Sequence, residues 1–578
     1  MLKRWVPDIV VLLLCITPVF STEGSTLKVK IEGVNQAQEQ NILSLLSIQQ
    51  LHQQEITNPG RMRYLHNKAS AEISKALQPY GFYRPEIIPQ LTKNNEDWLA
   101  HYRVTPGPAI PIGSLDIQVL GEAQQDDPFK KLLAATPLSI GAPLIHEEYE
   151  SLKRGLLSLA TERGYYQARF IQHYVEVNLE RYQANISLHF DSGPRFTVGE
   201  LRFTPNPLTE DFLRRYVPFK TGDPMQSSAL IDLQSNLIDS DYFQRVEVQP
   251  LWSQADGINV PIEVAVEAHK RTKYQAGVGY GTDTGARVKL GMTRRWVNNR
   301  GHQFNTQLLA SQIHTGLTAE YAIPGLQPQH DRYTVHLKLN NENSTTVDAD
   351  NYSFGTSWQH QGLPWKRVLS LEWQQERFDF DGPSQTTQFL IPRISLTRLS
   401  TGDRLNIRNG QRYSLQLLGA SDDLLSDTNF VQLRLGTKVV RSLTPNWRLL
   451  GRADAGVTAV DSFDQLPATL RFFAGGDNSV RGYDYQSLGP RNNEGTLIGG
   501  PHLLTASAEL EYRLSENWGL ATFIDSGDAF EDTDIHMQTG IGVGLRWFSP
   551  IGPVRLDLAF PQNDDGGFQL HFSLGPDL

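Results

Sequence analysis

Residues 503–514 read LLTASAELEYRL, and the reading of this stretch decides the fold. On an extended chain, Leu504, Ala506, Ala508, Leu510, Tyr512 and Leu514 face one way; Thr505, Ser507, Glu509, Glu511 and Arg513 face the other. The same alternation runs through Ala276, Val278 and Tyr280 against Gln275, Gly277 and Gly279. It returns in Val554, Leu556, Leu558 and Phe560 against Arg555, Asp557 and Ala559, and in Phe568, Leu570, Phe572 and Leu574 against Gln569, His571 and Ser573. Strands of a soluble sandwich average about 5–6 residues and turn their apolar face inward. These runs are longer, and their polar face carries charge. An apolar face toward lipid and a wet interior account for both features, and strands of about 9–11 residues tilted near 45° cross a bilayer. About 16 such segments fit between residues 271 and 578, an even number as antiparallel closure requires.

Past the N-terminus, no stretch is apolar over the roughly 18 residues of a spanning helix. Hydrocarbon then leaves a closed barrel as the way to pair every backbone amide. The N-terminus itself, MLKRWVPDIVVLLLCITPVFS, sets Lys3 and Arg4 before an apolar run from Ile9 to Phe20 and reads as a secretory signal peptide over residues 1–21. Removing it takes away two cations and Asp8, moving the formal charge from −10 to −11, and takes away Cys15, the single cysteine. A mature chain without a thiol has no disulfide and no Cys-ligated metal. Without a long Lys/Arg run, no nucleic-acid partner is expected.

Between residues 27 and 269 the chain repeats. GPAIPIGSLDI from Gly107 and GPRFTVGELRF from Gly193 align Gly113 with Gly199 and Leu115 with Leu201 at one offset of 86. Each module has a helix ending near paired aromatics: Gly81, Phe82, Tyr83; Gly164, Tyr165, Tyr166; and Tyr242, Phe243. Glycine ends a helix by taking the left-handed conformation. Asp241 replaces it in the third module, so a differently built helix end is expected there. Tyr149, Leu152, Leu156 and Leu159, and again Leu230, Leu233 and Leu237, recur at helical spacing and predict helices packed on sheets. The expected organisation is a signal peptide at 1–21, small α+β domains at 22–108, 109–194 and 195–270, and the barrel at 271–578.

One loop stands out. Between a segment ending near Val457 and one starting near Leu503, about 45 residues include FFAGGDNSVRGYDY (472–485), whereas structureless loops beyond about 12–15 residues are uncommon. Phe472, Phe473, Tyr483 and Tyr485 carry too much apolar area for a solvated tail, so the loop is expected to fold back into the barrel. There Arg481 would need a carboxylate partner; the alternative is an exposed loop charge. In the first barrel segment Gly277, Gly279 and Gly281 either weaken the strand where the barrel closes or permit a tight bend.

No catalytic constellation is apparent. The 15 histidines show no HExxH spacing, so no metal site is expected, and neither a GxSxG elbow nor a P-loop is present. No cofactor and no enzyme activity are predicted.

The motif VRGY (Val480, Arg481, Gly482, Tyr483), the run FIDSG (Phe523 to Gly527), the strand GPVRLDLAF and the three preceding modules together resemble the POTRA-barrel family of outer-membrane assembly factors and two-partner secretion transporters. The run LRFFAGGDNSVRGY and the ending SLGPDL are similar to its translocation-and-assembly-module branch. The resemblance implies a transmembrane antiparallel β-barrel of about 16 strands behind three small α+β POTRA domains, in the bacterial outer membrane with the POTRA domains periplasmic. It implies a luminal Arg481 paired with Asp525, with Phe523 and Gly527 on the same wall strand, Gly482 allowing close approach and Gly527 leaving space. It also implies a lateral seam between the first and last strands, carrying Gly277, Gly279, Gly281, Gly567, Leu570 and Phe572. The implied partners are a TamB-like inner-membrane-anchored subunit, unfolded outer-membrane protein clients including autotransporters, and outer-membrane lipid. The alternative within the family is a two-partner secretion transporter passing a client through the lumen. The ending LGPDL departs from the terminal aromatic of the usual outer-membrane sorting signal.

Overall fold

The computed structural model describes residues 26–578 except 53–57, 95–96, 363, 381, 403–406, 533–534, 550–551, 563–566 and 575–578. The predicted signal peptide with Cys15, and Gly575 to Leu578 of the LGPDL ending, lie outside the described residues. Two compact units form: one of residues up to 199 with 221–228 and 252–260, the other of 200–220, 229–251 and 261–578.

In the first unit, β1 (Leu27–Glu32) pairs in parallel with β3 (Asp97–Thr105), which pairs antiparallel with β2 (Glu86–Asn94). The helices α1 (Gln36–Leu45) and α2 (Pro59–Leu77) make the crossover. The helix α1 starts at a reciprocal Asn35–Gln38 capping box, and α2 starts with Asn58 as its cap and Pro59 in its first turn. Ile42, Ile73, Leu77 and Tyr102 meet in the core. The second module repeats the plan with β4 (Ile112–Leu120), β5 (Arg169–Asn178) and β6 (Gln183–Asp191) in the order β4-β6-β5, and with α3 (Asp127–Ala134) and α4 (His146–Glu162). Tyr149, Leu152 and Leu156 of α4 are buried against Ile186, Leu188 and Phe190, at the spacing read from the sequence.

The duplicated glycines mark the junctions. Gly81 and Gly164 both have φ of 85°, and a Cβ on either would lie 2.6 Å from a carbonyl of the following segment, Leu144 and Met225 respectively. Equivalent bonds cross each junction: the Ile110 amide donates to the Gly81 carbonyl and the Phe196 amide to the Gly164 carbonyl, both at 2.8 Å.

The third sheet has the order β7-β9-β8, with β7 (Thr197–Phe203), β8 (Phe243–Pro250) and β9 (Asn259–Ala268), accompanied by α5 (Glu210–Leu213) and α6 (Ser227–Asp239). Asp241 corrects the expectation of a differently built helix end. It takes the same left-handed conformation, φ 61°, that glycine takes in the other modules. Aspartate tolerates this region better than most residues, and Arg295 grips its carboxylate through Nε at 3.0 Å and Nη2 at 3.2 Å. Within the second unit, the Tyr242 hydroxyl donates to the Gly301 carbonyl at 2.5 Å. The Phe212 ring occupies the space that a Cβ on Gly301 would take.

Sixteen antiparallel strands follow in unbroken neighbour order. They are β10 (Thr272–Gly281), β11 (Gly285–Arg294), β12 (Gln303–Ser311), β13 (His314–Pro324), β14 (Asp331–Asn343), β15 (Asp348–Gly362), β16 (Trp365–Asp379) and β17 (Gln385–Thr401). The second half is β18 (Gly410–Ala420), β19 (Phe430–Ser442), β20 (Trp447–Val460), β21 (His502–Arg513), β22 (Trp518–Phe530), β23 (Gln538–Ser549), β24 (Gly552–Pro561) and β25 (Gln569–Leu574). The burial pattern inverts that of a soluble protein. Leu504, Ile524, Val543 and Val278 face outward and exposed, while Thr505, Glu509, Glu511, Asp525 and Arg546 are buried inside. Lipid on the outside makes this pattern stable. At the end where β10 begins, Trp447 lies tilted beside Tyr512 and Trp518 stacks on Trp547, ring centroids 4.7 and 6.2 Å apart. Such aromatics mark a membrane interface.

Candidate functional site: the luminal loop and the barrel seam

The loop from Asp461 to Pro501 folds back inside the barrel. Its Leu466 and Leu470 pack against Phe389, Ile391, Leu418 and Phe430 of β17, β18 and β19, which answers the excess of apolar residues in the sequence. Arg471 stands among the rings of Phe378, Phe380 and Phe463, 5.5, 4.7 and 4.5 Å from their centroids, and donates to four loop carbonyls.

Anchored this way, the loop delivers Arg481 to the wall. Its Nε and Nη2 donate to the two carboxylate oxygens of Asp525 at 2.7 and 3.0 Å, and its own amide donates to Asp525 at 3.1 Å. Asp525 also accepts from the Ser507 hydroxyl at 2.6 Å. Nη1 of Arg481 reaches Glu509 at 3.0 Å and Asp557 at 2.8 Å, and the guanidinium lies 3.4 Å from the centroid of the Phe523 ring. A second arginine, Arg546 of β23, shares these acids: it donates to Glu509 at 2.6 Å, to Glu511 at 3.1 Å and to Asp557 at 2.5 Å. Arg448 completes the chain on Glu511 at 2.6 Å. Arg481, Arg546, Glu509, Glu511, Asp525 and Asp557 are all buried, so each charge is stable only with the others in place.

The remaining motif residues divide by position. Val480 and Tyr483 are buried, and the Tyr483 hydroxyl lies 3.4 Å from the Gln538 side chain and the Thr539 carbonyl. Gly482 has φ of 96°, and a Cβ there would press on the Pro561 backbone nitrogen at 3.1 Å. The space expected at Gly527 is occupied instead by Thr505 of the neighbouring strand. The room for the loop is on β23, whose inward residues Gly540, Gly542 and Gly544 lack side chains. A Cβ on Gly540 would lie 1.9 Å from the Arg481 carbonyl oxygen, one on Gly542 2.3 Å from the Phe523 ring, and one on Gly544 1.9 Å from Asp557 Oδ1. Alternating glycines in QTGIGVGLRW were the sequence signal for this. Glu509, Glu511 and Asp557 were legible as members of the polar face; their convergence on two arginines was not.

Between β10 and β25, the two ends of the sheet order, no backbone ladder is present among the described residues. Gly277, Gly279 and Gly281 face inward along β10, opposite Lys289, Arg287 and Gly285 of β11. Leu570 and Phe572 lie on β25. Gly567 does not: with φ of 80° it precedes the strand, in a conformation a strand residue does not take.

The contacts across the seam gather at the end opposite the start of β10. The Tyr280 and Phe572 rings are 6.3 Å apart, and the Phe572 amide donates to the Thr282 hydroxyl at 3.1 Å. Asp477 of the loop sits over this point. It accepts from Thr282 at 2.9 Å and from His571 Nδ1 at 2.6 Å, and its amide donates to Asp283 at 2.8 Å. Burial and the neighbouring Asp477 push the Asp283 carboxyl up to about 6. Asp283, Asp477 and His571 bring ligand-type atoms within 4.8 Å of one another. However, the Gly482 amide donates to His571 Nε2 at 2.9 Å. This leaves the proton on Nδ1, facing Asp477, so both ring nitrogens are committed to hydrogen bonds. The trio is wired as a latch joining loop, first strand and last strand.

A family model described as the Omp85 superfamily domain matches residues 272–577, and one described as POTRA domain, TamA domain 1, matches residues 28–106. The outer membrane protein assembly factor BamA of Nitratidesulfovibrio vulgaris is 21% identical over 602 residues, covering 96% of this chain and 74% of that protein. BamA of Neorickettsia risticii is 21% identical over 442 residues, covering 70% of this chain and 57% of that protein. Among solved structures, BamA from Haemophilus ducreyi lacking POTRA domains 1–3 has the same fold, with a TM-score of 0.69 and 17% identity over 81% of this chain and 99% of that one. The Omp85 family serves outer-membrane protein assembly and translocation, and this chain is an outer-membrane barrel with periplasmic POTRA domains. The superfamily match spans more than half of the chain and a TamA-type POTRA domain stands at its head: the protein belongs to the Omp85 superfamily, as a TamA-like member.

Proposed function

We propose that the chain promotes translocation and assembly of outer-membrane proteins, autotransporter-type clients among them, together with a TamB-like subunit anchored in the inner membrane. It acts without catalysis. The observation that carries this reading is the seam. Among the described residues the strands β10 and β25 flank it without a ladder, and the contacts across it cluster at one end around Asp477. An unpaired strand edge is a template for another strand. A client hairpin that pairs with β10 satisfies its own backbone while its apolar face enters lipid, so backbone pairing and burial drive the step. In this reading residues 22–108, 109–194 and 195–270 are the three POTRA domains that receive the client, and 271–578 the barrel that inserts it.

Photo-crosslinking from β10 in cells tests this. A photoreactive residue at Val278 is expected to capture strands of newly exported outer-membrane proteins. If it captures only lipid or this chain's own β25, the seam is not the site of insertion.

A further inference from the structure

On the inner face of β18, β19 and β20, Arg412 stands directly opposite Lys438, and Lys438 directly opposite Arg452. Like charges opposed on neighbouring strands destabilise the pairing. The network around Arg481 avoids this by giving each arginine a carboxylate. Here Asp454, whose cross-strand neighbour is Gly436, lies among Arg412, Lys438 and Arg452, and Arg452 is also drawn by Asp525 and Glu509. Arg452 donates to the Ser479 carbonyl at 2.6 Å. Among the described residues the Lys438 ammonium has no hydrogen bond or ion pair.

Lys438 and Arg452 line a cavity of about 120 Å³, together with Arg555, Asn478, Ser507 and Ser573. At about 30 Å³ per water, it has room for about four waters, or one tetrahedral oxyanion. Its acids are engaged elsewhere: Asp477 with Thr282 and His571, and Glu509 and Asp557 with Arg481 and Arg546. The wall therefore offers charged donors, hydroxyls and an amide; Glu509 and Asp557 are paired with arginines, and Asp477 has an oxygen occupied by hydrogen bonds.

We propose that this luminal cavity binds a phosphate group, held by Lys438 and Arg452 with Arg555 beside them and the field of Arg412 behind. A dianion would relieve the opposed charges of β18, β19 and β20, and arginine and lysine are the residues that hold phosphate in proteins. The phosphate comes either from a lipid headgroup reaching in from the membrane or from a soluble phosphate compound.

The test is calorimetric titration of the full chain, in phosphatidylcholine nanodiscs, with pyrophosphate. Saturable binding is expected, weakened roughly tenfold or more in Lys438→Gln, the effect of one charge-assisted hydrogen bond, and retained in Lys438→Arg. Mobility of unheated protein in a denaturing gel verifies that each variant is folded. A measurement without variants stands beside it: pyrophosphate is expected to raise the unfolding temperature of the unmodified protein, and sodium chloride at equal ionic strength is not. If nanodiscs containing phosphatidic acid abolish the titration, the natural ligand is a lipid headgroup; if they leave it unchanged, it is soluble. Binding equal in the unmodified protein and Lys438→Gln, or the absence of both binding and stabilisation, overturns the proposal.

Discussion

Arg481 holds Asp525 three times over: through Nε at 2.7 Å, through Nη2 at 3.0 Å and through its own backbone amide at 3.1 Å. The pair fixes both the end of the side chain and the path of the loop that carries it. With Glu509 and Asp557 on the remaining nitrogen, one loop arginine ties together β21, β22 and β24.

Arg481→Ala leaves Asp525 buried without its main partner and strips Glu509 and Asp557 of one donor. Removing one partner of a buried pair costs about 3–5 kcal/mol. We expect a lower urea midpoint with a nearly unchanged slope, together with reduced client assembly. Pairing it with Asp525→Asn is expected to cost less than the sum of the two single changes, since both act on one contact.

Gly540→Ala places a methyl group 1.9 Å from the Arg481 carbonyl oxygen, so loop or strand must move. The expected result is protease cleavage between residues 472 and 500 in a barrel that still forms. Gly451→Ala, on a strand face where a Cβ meets nothing within 4 Å, is the control and should leave the loop protected.

Asp477→Ala removes the acceptor shared by Thr282 and His571. Amide hydrogen exchange in β25 is expected to speed up severalfold, while β16 and β17, far from the seam, keep their protection. Equal exchange in β25 with and without Asp477 would show that the latch does not hold the seam.

The periplasmic arm carries its own pH response. Burial holds His146 of α4 below the ordinary histidine range, against the opposing pull of Glu150, and its Nε2 lies 2.7 Å from the Tyr83 hydroxyl. Burial depresses His66, beside Tyr102, in the same direction. A depressed histidine stays neutral in the folded arm while the unfolded chain takes up a proton. Stability is therefore fully present above about pH 6.5 and declines as pH falls through the unfolded value toward the folded one. Hydrogen-exchange protection of α4, taken relative to the intrinsic rate at each pH, is expected to fall more between pH 7 and 5 in the unmodified chain than in His146→Gln.

The barrel was legible because alternation is a local property: LLTASAELEYRL states which face meets lipid without reference to any other strand. The duplicated glycines were legible for the same reason, since φ near 85° at Gly81 and Gly164 is a demand of the backbone itself. Asp241 was misread because the rule was applied to residue type, whereas the conformation is open to aspartate and Arg295 secures it. The charge network was only half legible. Arg546 reaches Glu509 and Glu511 two strands away, passing over Gly519 and Ala521 of β22, and that reach depends on register and on small residues between the partners. The latch was not legible at all: Thr282, Asp477 and His571 are nearly 300 residues apart at the extremes and meet only when the barrel comes round.

The central claim is that the seam between β10 and β25 must open for assembly. Cysteines replacing Tyr280 and Phe572, whose rings lie 6.3 Å apart, can be joined by a short bis-maleimide in the folded protein and released in a cleavable version. Client assembly, measured in reconstituted membranes, should stop when the link is made and return when it is cut. Assembly at an unchanged rate in the linked, correctly folded barrel would contradict the account.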